Sequence, residues 1–281
     1  MKIRFWGTRG SIPAPGPDTA KYGGNTTCVE VRLEDGTLII FDAGTGIRKL
    51  GLALMNEKFT QNINLVLTHS HWDHIQGFPF FAPANDPKMK INIFGCPPTF
   101  DKLKKIMTDQ MESKYFPINF KDLKANITFR EIDTSAQYLG SARLHFLELN
   151  HPGFAYGFKL VEKSRAMALL TDNELLPPAH AVTDWNAFVD FCKNVDVLVH
   201  DAMWTDTELK EKAGWGHSSV TQVIQLALQA NVRRNLILSH HDPEHSDKML
   251  DLLSLDCQKK INGRANGLKC AIAKEGDEII F

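Results

Sequence analysis

Thr68-His69-Ser70-His71-Trp72-Asp73-His74 places four potential metal ligands within six residues, directly after the apolar run Ile63-Asn64-Leu65-Val66-Leu67. A short buried strand that ends in polar side chains is how a rigid sheet delivers ligands to a site at its edge. His69 and His71 are two apart, so in extended backbone they point the same way and can chelate one ion. Asp73 and His74, beyond the turn, can face a second. Imidazole and carboxylate without thiolate suit zinc, manganese or iron in a hydrolytic site, whereas a structural zinc is more often closed by cysteines. The competing reading, a set of solvated turn histidines, does not explain such density.

The spacing His-x-His-x-Asp-His, met in full by His69, His71, Asp73 and His74, resembles the signature of the metallo-β-lactamase-fold hydrolases. The fold class implied is α/β, an αββα sandwich of two pseudo-duplicated halves. No linker-like shift in composition divides the chain, so a single domain over residues 1–281 is expected.

A chain of 281 residues can bury a substantial core, and its formal net charge of −1 argues against a surface given over to nucleic acid. The five cysteines (Cys28, Cys96, Cys192, Cys257, Cys270) are scattered and form no Cys-x-x-Cys pair, which argues against a disulfide framework or a thiolate zinc site. The opening Met1-Lys2-Ile3-Arg4-Phe5-Trp6-Gly7 has no apolar h-region after it, and no later run has the length of a membrane span. A cytoplasmic protein with no membrane partner is the expectation.

Strands are expected at Lys2 to Trp6, Cys28 to Leu33 and Leu38 to Phe41, the last two joined by the hairpin turn Glu34-Asp35-Gly36-Thr37. A helix follows near Ile47 to Met55. Asp42, at the end of its strand, reads as a ligand, a group orienting a histidine or a helix cap; the resemblance favours orientation. Arg9 and Asn25 read either as substrate contacts or as turn-forming polar residues. Further on come a strand at Ile91 to Gly95 and an amphipathic helix over Thr99 to Met111. The aromatic stretch Lys114 to Phe120 suits a pocket wall, a lid, a homodimer contact or ordinary core.

Strands at Phe129 to Ile132, Arg143 to Leu149 and Tyr156 to Leu160 bracket the turn Asn150-His151-Pro152-Gly153. Ala166 to Thr171 then delivers Asp172 much as Leu38 to Phe41 delivers Asp42. Leu236-Ile237-Leu238-Ser239-His240 repeats the pattern of Leu65-Val66-Leu67-Thr68-His69, a strand, a hydroxyl residue and a histidine, and the two look like counterparts in an internal duplication. A helix over Asp247 to Lys260 and strands within Leu268 to Phe281 close the chain.

By resemblance, His69, His71 and His151 hold one ion, Asp73, His74 and His240 hold another, and Asp172 bridges them. His241 and His245 adjoin His240 and are alternatives to it. Two divalent cations so placed, zinc or else manganese or iron, give hydroxide from a shared water at neutral pH. The reaction class is metal-assisted hydrolysis, with Asp73 also able to accept the nucleophile's proton.

The bond cleaved is indicated by Gly214-Trp215-Gly216-His217-Ser218-Ser219. Ser219-Val220-Thr221-Gln222 fits a capping box, and Val220, Val223, Ile224, Ala227 and Leu228 recur at helical spacing. His217 therefore precedes a helix N-terminus, whose amides and dipole favour phosphate. That end disfavours imidazolium, so His217 needs a carboxylate partner to donate a proton, and Asp201 is the candidate. The bland alternative for His217 is capping or packing. In tRNase Z and related phosphodiesterases of the fold an acidic residue and a histidine assist cleavage, and His200-Asp201-Ala202 with Gly216-His217-Ser218 resembles that pair, with aspartate standing where tRNase Z has glutamate.

The chain lacks the Gly/Pro-rich basic insertion that a tRNA-gripping arm needs, so an extended nucleic acid is disfavoured as substrate. A small anionic phosphodiester, a 3′,5′-cyclic nucleotide first among them, is the expected substrate, attacked by the metal-bridging hydroxide. The rivals are a tRNase Z-like RNA endonuclease, a lactone or thioester hydrolase of the same fold, a di-iron redox protein and a nucleic-acid scaffold.

Overall fold

The computed structural model describes residues 1–134, 137–262 and 267–281. The first half runs β1 (Lys2–Gly7), β2 (Cys28–Arg32), β3 (Leu38–Phe41), α1 (Ile47–Asn56), β4 (Ile63–Val66), α2 (Trp72–Ile75), β5 (Lys90–Gly95), α3 (Phe100–Asp109) and β6 (Asn126–Glu131). The second half runs β7 (Gln137–Leu139), β8 (Ala142–Glu148), β9 (Tyr156–Glu162), β10 (Arg165–Leu170), α4 (Trp185–Cys192), β11 (Val197–Asp201), α5 (Asp206–Lys212), α6 (Val220–Gln229), β12 (Asn235–Ser239), α7 (Asp247–Ile261) and β13 (Lys269–Ile272). A last strand, β14 (Glu278–Ile280), returns to pair with β1.

The strands form two seven-stranded sheets, β14-β1-β2-β3-β4-β5-β6 and β13-β12-β11-β10-β9-β8-β7. In both, three antiparallel neighbours lead into four parallel strands: β1-β2-β3 then β3-β4-β5-β6, and β8-β9-β10 then β10-β11-β12-β13. The halves are thus duplicated, as expected. Their correspondence differs from the one suggested by Thr68-His69 and Ser239-His240, because β4 matches β11 and β12 matches β5. Two short strand ends carry too little information to fix that alignment. The pair that does correspond is Asp42 after β3 and Asp172 after β10, both left-handed, with φ 64° and 56°.

Apolar side chains fill three layers. Between the sheets, Ile39, Phe41 and Val66 meet Phe158, Leu169 and Val199, with the Phe41 and Phe158 rings 5.6 Å apart. On the outer face of the first sheet Leu38, Ile40, Leu65 and Ile93 pack against Leu50, Leu54, Leu103 and Met107 from α1 and α3. Ala168, Leu170, Leu198 and Leu238 meet Phe188, Val223, Ile224 and Leu250 from α4, α6 and α7 on the other outer face. The central strands are apolar on both sides because helices and the opposite sheet both cover them, which is how parallel strands are stabilised. This is the αββα sandwich.

Cys257 of α7 and Cys270 of β13 are joined by a disulfide, Cα–Cα 6.2 Å, against the expectation that the scattered cysteines stay unpaired. Spacing concealed the contact, because it depends on α7 folding back on the strand that follows it. Among the described residues, no helix is long and apolar enough to cross a membrane.

Candidate metal centre

The loops that follow β4, β8, β10 and β12 converge at one end of the sandwich. They bring His69, His71, His151 and Asp172 together as one cluster and Asp73, His74, Asp172 and His240 as a second, with the ligand atoms of each within 4.8 Å of one another. The seven side chains expected as ligands, His240 among them, all fall within these two groups. His241 instead meets the Ala273 carbonyl through Nε2, 2.9 Å away, and His245 faces Glu208 at 2.9 Å.

Asp172 divides its two oxygens between the clusters. Oδ2 lies 3.7 Å from His69 Nε2 and 3.8 Å from His151 Nε2. Oδ1 lies 3.1 Å from His74 Nε2 and 3.2 Å from His240 Nε2, and Thr171 Oγ1 donates to it at 2.6 Å. Asp73 Oδ2 joins the second cluster, 3.2 Å from both His74 Nε2 and His240 Nε2. It also accepts the Ser11 amide at 2.8 Å.

Supporting groups fix which ring nitrogen faces inward. Thr68 Oγ1 donates to Asp42 and lies 3.1 Å from His69 Nδ1, an arrangement in which the His69 ring donates to the hydroxyl and leaves Nε2 free. Asp42 Oδ2 meets His74 Nδ1 at 2.8 Å, and the Gly216 carbonyl meets His151 Nδ1 at 3.0 Å. Asp42 therefore orients two imidazoles, in agreement with the reading favoured for it. Two glycines hold their places for steric reasons: a Cβ at Gly216 would come within 2.3 Å of His151 Nδ1, and one at Gly10 within 2.5 Å of His240 Nδ1.

The electrostatics fit cations. Burial lowers the His69 and His71 pKa values and takes His151 down to about 4, so these rings are neutral and able to coordinate. His74 behaves oppositely. Burial works against its charge, but Asp172, Asp73 and Asp42 outweigh burial and raise it well above the usual histidine value. A cradle of buried carboxylates that pulls a proton onto an imidazole is one in which a cation would replace that proton. His69 Nε2, buried, has no hydrogen-bond partner, and His74 Nε2 approaches Asp172 and Asp73 without hydrogen-bond geometry, as expected of nitrogens held for a metal.

His217 stands beside this centre, its ring 5.1 Å from that of His240 and stacked on it. Its Nδ1 meets Asp201 Oδ2 at 2.7 Å, which leaves Nε2 for the pocket that His217 lines. Burial disfavours the imidazolium; Asp201, then Asp172 and Asp73, more than compensate and push it up to about 9. Asp201 was expected among the catalytic groups. It is fully buried, with Oδ2 also taking the Asn173 amide and Oδ1 the Met203 amide, a placement from which it reaches His217 and does not line the pocket. Asp73 was expected also as a proton acceptor. Burial raises its pKa, but His74 and His240 lower it below the usual carboxylate range, which suits a ligand better than a base.

The amides at the start of α6 are largely engaged: Ser219 N with Gln222 Oε1, Gln222 N with Ser219 Oγ, and Val220 N with the Trp204 carbonyl. The capping box forms as expected, and by forming it removes donors that would have cradled a phosphate. Arg9 and Asn25 take the second of their readings. Arg9 is fully buried and donates to the carbonyls of Gly23, Asp242 and His245, while Asn25 is held by Glu275. Neither lines the metal pocket.

Glu174 is the supporting residue that the sequence conceals. Its buried carboxylate accepts the amides of Gly214 and Gly216 at 2.9 to 3.0 Å, fixing the loop that presents both His217 and the carbonyl of Gly216. The only hint was its place two residues after Asp172.

The family model described as Beta-lactamase superfamily domain matches residues 37–241, which bracket all seven candidate ligands. Ribonuclease Z of Picrophilus torridus is 28% identical, over 93% of this chain and 92% of that protein. The metallo-beta-lactamase fold protein YhfI from Bacillus subtilis superposes with a TM-score of 0.70 at 18% identity, covering 99% of both chains. The short form of human tRNase Z superposes with a TM-score of 0.66 at 20% identity, covering 100% of this chain and 99% of that one.

Proposed function

The chain belongs to the β-lactamase superfamily, and from that premise we propose that it is a metal-dependent hydrolase of small phosphodiesters, with 3′,5′-cyclic nucleotides as the substrate class. His69, His71 and His151 would hold one cation, Asp73, His74 and His240 a second, with Asp172 shared between them. The observation that carries this reading is the division of the two Asp172 oxygens between two sets of buried imidazoles. Two such cations, zinc first by donor type with manganese or iron as alternatives, would acidify water and stabilise charge on the attacking and leaving oxygens.

The remaining work falls to the chain. Asp42, Thr68 and the Gly216 carbonyl keep the ligand nitrogens aimed inward. Asp201 holds His217 through Nδ1 and favours its imidazolium form, in which Nε2–H is available to a phosphoryl or leaving oxygen. Carbonyl hydrolysis at such a centre has no evident use for this pair, which supports phosphodiester over lactone or thioester cleavage.

A cavity of about 490 Å³ is lined by Ser11, Ser70, Trp72, His217 and five of the candidate ligands, with no lysine or arginine among its lining residues. Extended RNA is held mainly through contacts of its phosphates with such cations, so this lining favours a small substrate. RNA cleavage is the second reading, and the likeness to Ribonuclease Z of Picrophilus torridus favours it.

The test is a panel offered to the zinc-, manganese- or iron-loaded protein: bis-p-nitrophenyl phosphate, cyclic AMP, cyclic GMP, a structured RNA, a lactone and a thioester. Turnover of bis-p-nitrophenyl phosphate and a cyclic nucleotide is expected. Phosphodiester turnover confined to RNA would select the second reading. Rapid lactone or thioester hydrolysis with no phosphodiester turnover would overturn both.

A further inference from the structure

Beside the metal pocket opens a groove of about 500 Å³ walled by Trp72, Phe80, Ile106, Tyr115 and Phe116, and Trp72 lines both cavities. We infer that this groove receives the nucleobase of the substrate while its phosphate lies at the metal centre. The inference rests on the phosphodiesterase reading above and adds a recognition site to it.

The walls come from two segments brought together by the core beneath them. Phe78 is buried and stacks on Phe120, rings 5.8 Å apart, which pins the turn after α2 against the stretch after α3. That contact leaves Phe80 and Phe116 edge to face, 5.4 Å apart at 86°, on the outside. Trp72, Tyr115 and Phe80 remain 78%, 72% and 58% exposed. Single exposed aromatics are ordinary, but several lining one groove next to a reactive centre mark a binding surface.

Three features select a planar, neutral, hydrogen-bonding group as the occupant. Aromatic faces offer stacking to any base. Gln76, Asp109 and Gln110 also line the groove; Gln76 Nε2 and Gln110 Nε2 already donate to Thr26 Oγ1 and Met107 Sδ, and Asp109 Oδ2 pairs with Lys105, which leaves the two amide oxygens and the second hydrogen of each amide for a base edge. No lysine or arginine does, so the groove does not compete for the phosphate. The aromatic stretch after α3 thus serves as a pocket wall, one of the roles its composition suggested. An acyl chain would leave the polar groups unused, and a second copy of the chain would have no reason to share Trp72 with the metal pocket.

The experiment uses the metal-loaded protein and its Phe80→Ala and Tyr115→Ala variants, Tyr115 being exposed enough that its removal leaves the core untouched. Adenosine binding is measured by calorimetry, and kcat/KM is measured for cyclic AMP and for the base-free ribose 3′,5′-cyclic phosphate. We expect saturable adenosine binding that weakens roughly tenfold in each variant, and a preference for cyclic AMP over the base-free ester that falls by a similar factor, the size of one lost stacking contact. Absence of adenosine binding, or equal losses on both esters, would overturn the assignment. So would binding of decanoate, or a concentration-dependent dimer, that the substitutions abolish while adenosine does not bind. If the parent hydrolyses no phosphodiester, the functional reading fails, and the adenosine titration still decides the groove.

Discussion

Asp172→Asn is expected to strip the protein of bound metal and reduce phosphodiester turnover by about a thousandfold or more, on the scale of removing a preorganised charge-stabilising group. Asp172 is the only side chain common to both ligand clusters. Its carboxylate is buried and placed by a left-handed backbone, φ 56°, and by the hydroxyl of Thr171. Asparagine preserves the volume but removes the charge, and it turns an amide NH₂ toward one cluster. Four neighbouring imidazoles would then face cations with one carboxylate fewer to neutralise them. Elemental analysis after dialysis, together with kcat/KM on bis-p-nitrophenyl phosphate, checks this. Parent-like metal content and turnover in Asp172→Asn would remove the residue from the centre.

His217→Ala should separate chemistry from metal binding. The ring touches that of His240 but belongs to neither of the two four-residue clusters that share Asp172, and its Nδ1 is committed to Asp201. Metal content is therefore expected to match the parent while kcat falls by roughly a hundredfold or more, the loss typical of a missing acid catalyst. The loss should be smaller for an aryl ester, whose leaving oxygen needs little protonation, than for a cyclic nucleotide. Parallel losses of metal and activity would instead make His217 a ligand and displace one of the seven.

The local part of this centre is legible in the sequence because its ligands cluster after a strand end, while His151, Asp172 and His240 enter the set by the family resemblance. Six residues from His69 to His74 carry four of the ligands, and the strand before Asp172 repeats the pattern of the strand before Asp42. The Asp201–His217 contact could also be anticipated, from the need to balance an imidazolium near a helix start. Harder to read was whatever depends on backbone partners or on distant packing. Glu174 binds amides some forty residues away, a function that leaves no pattern in side-chain types. Arg9 reads in sequence either as a substrate contact or as a turn-forming polar residue, and only the folded chain shows its Nε and Nη1 donating to three carbonyls. The disulfide of Cys257 with Cys270 has the same origin. The groove beside the metal pocket was visible only as aromatic composition, because its shape is set by Phe78 stacking on Phe120 across a long sequence gap.

Hydrolysis at this centre would depend on a pair of cations shared by one carboxylate. Anomalous diffraction from crystals grown with excess zinc or manganese measures this directly. The expected result is two peaks separated by roughly 3.5 to 4 Å, one ringed by His69, His71 and His151, the other by Asp73, His74 and His240, with Asp172 reaching both. A single peak, or peaks away from these side chains, would contradict it.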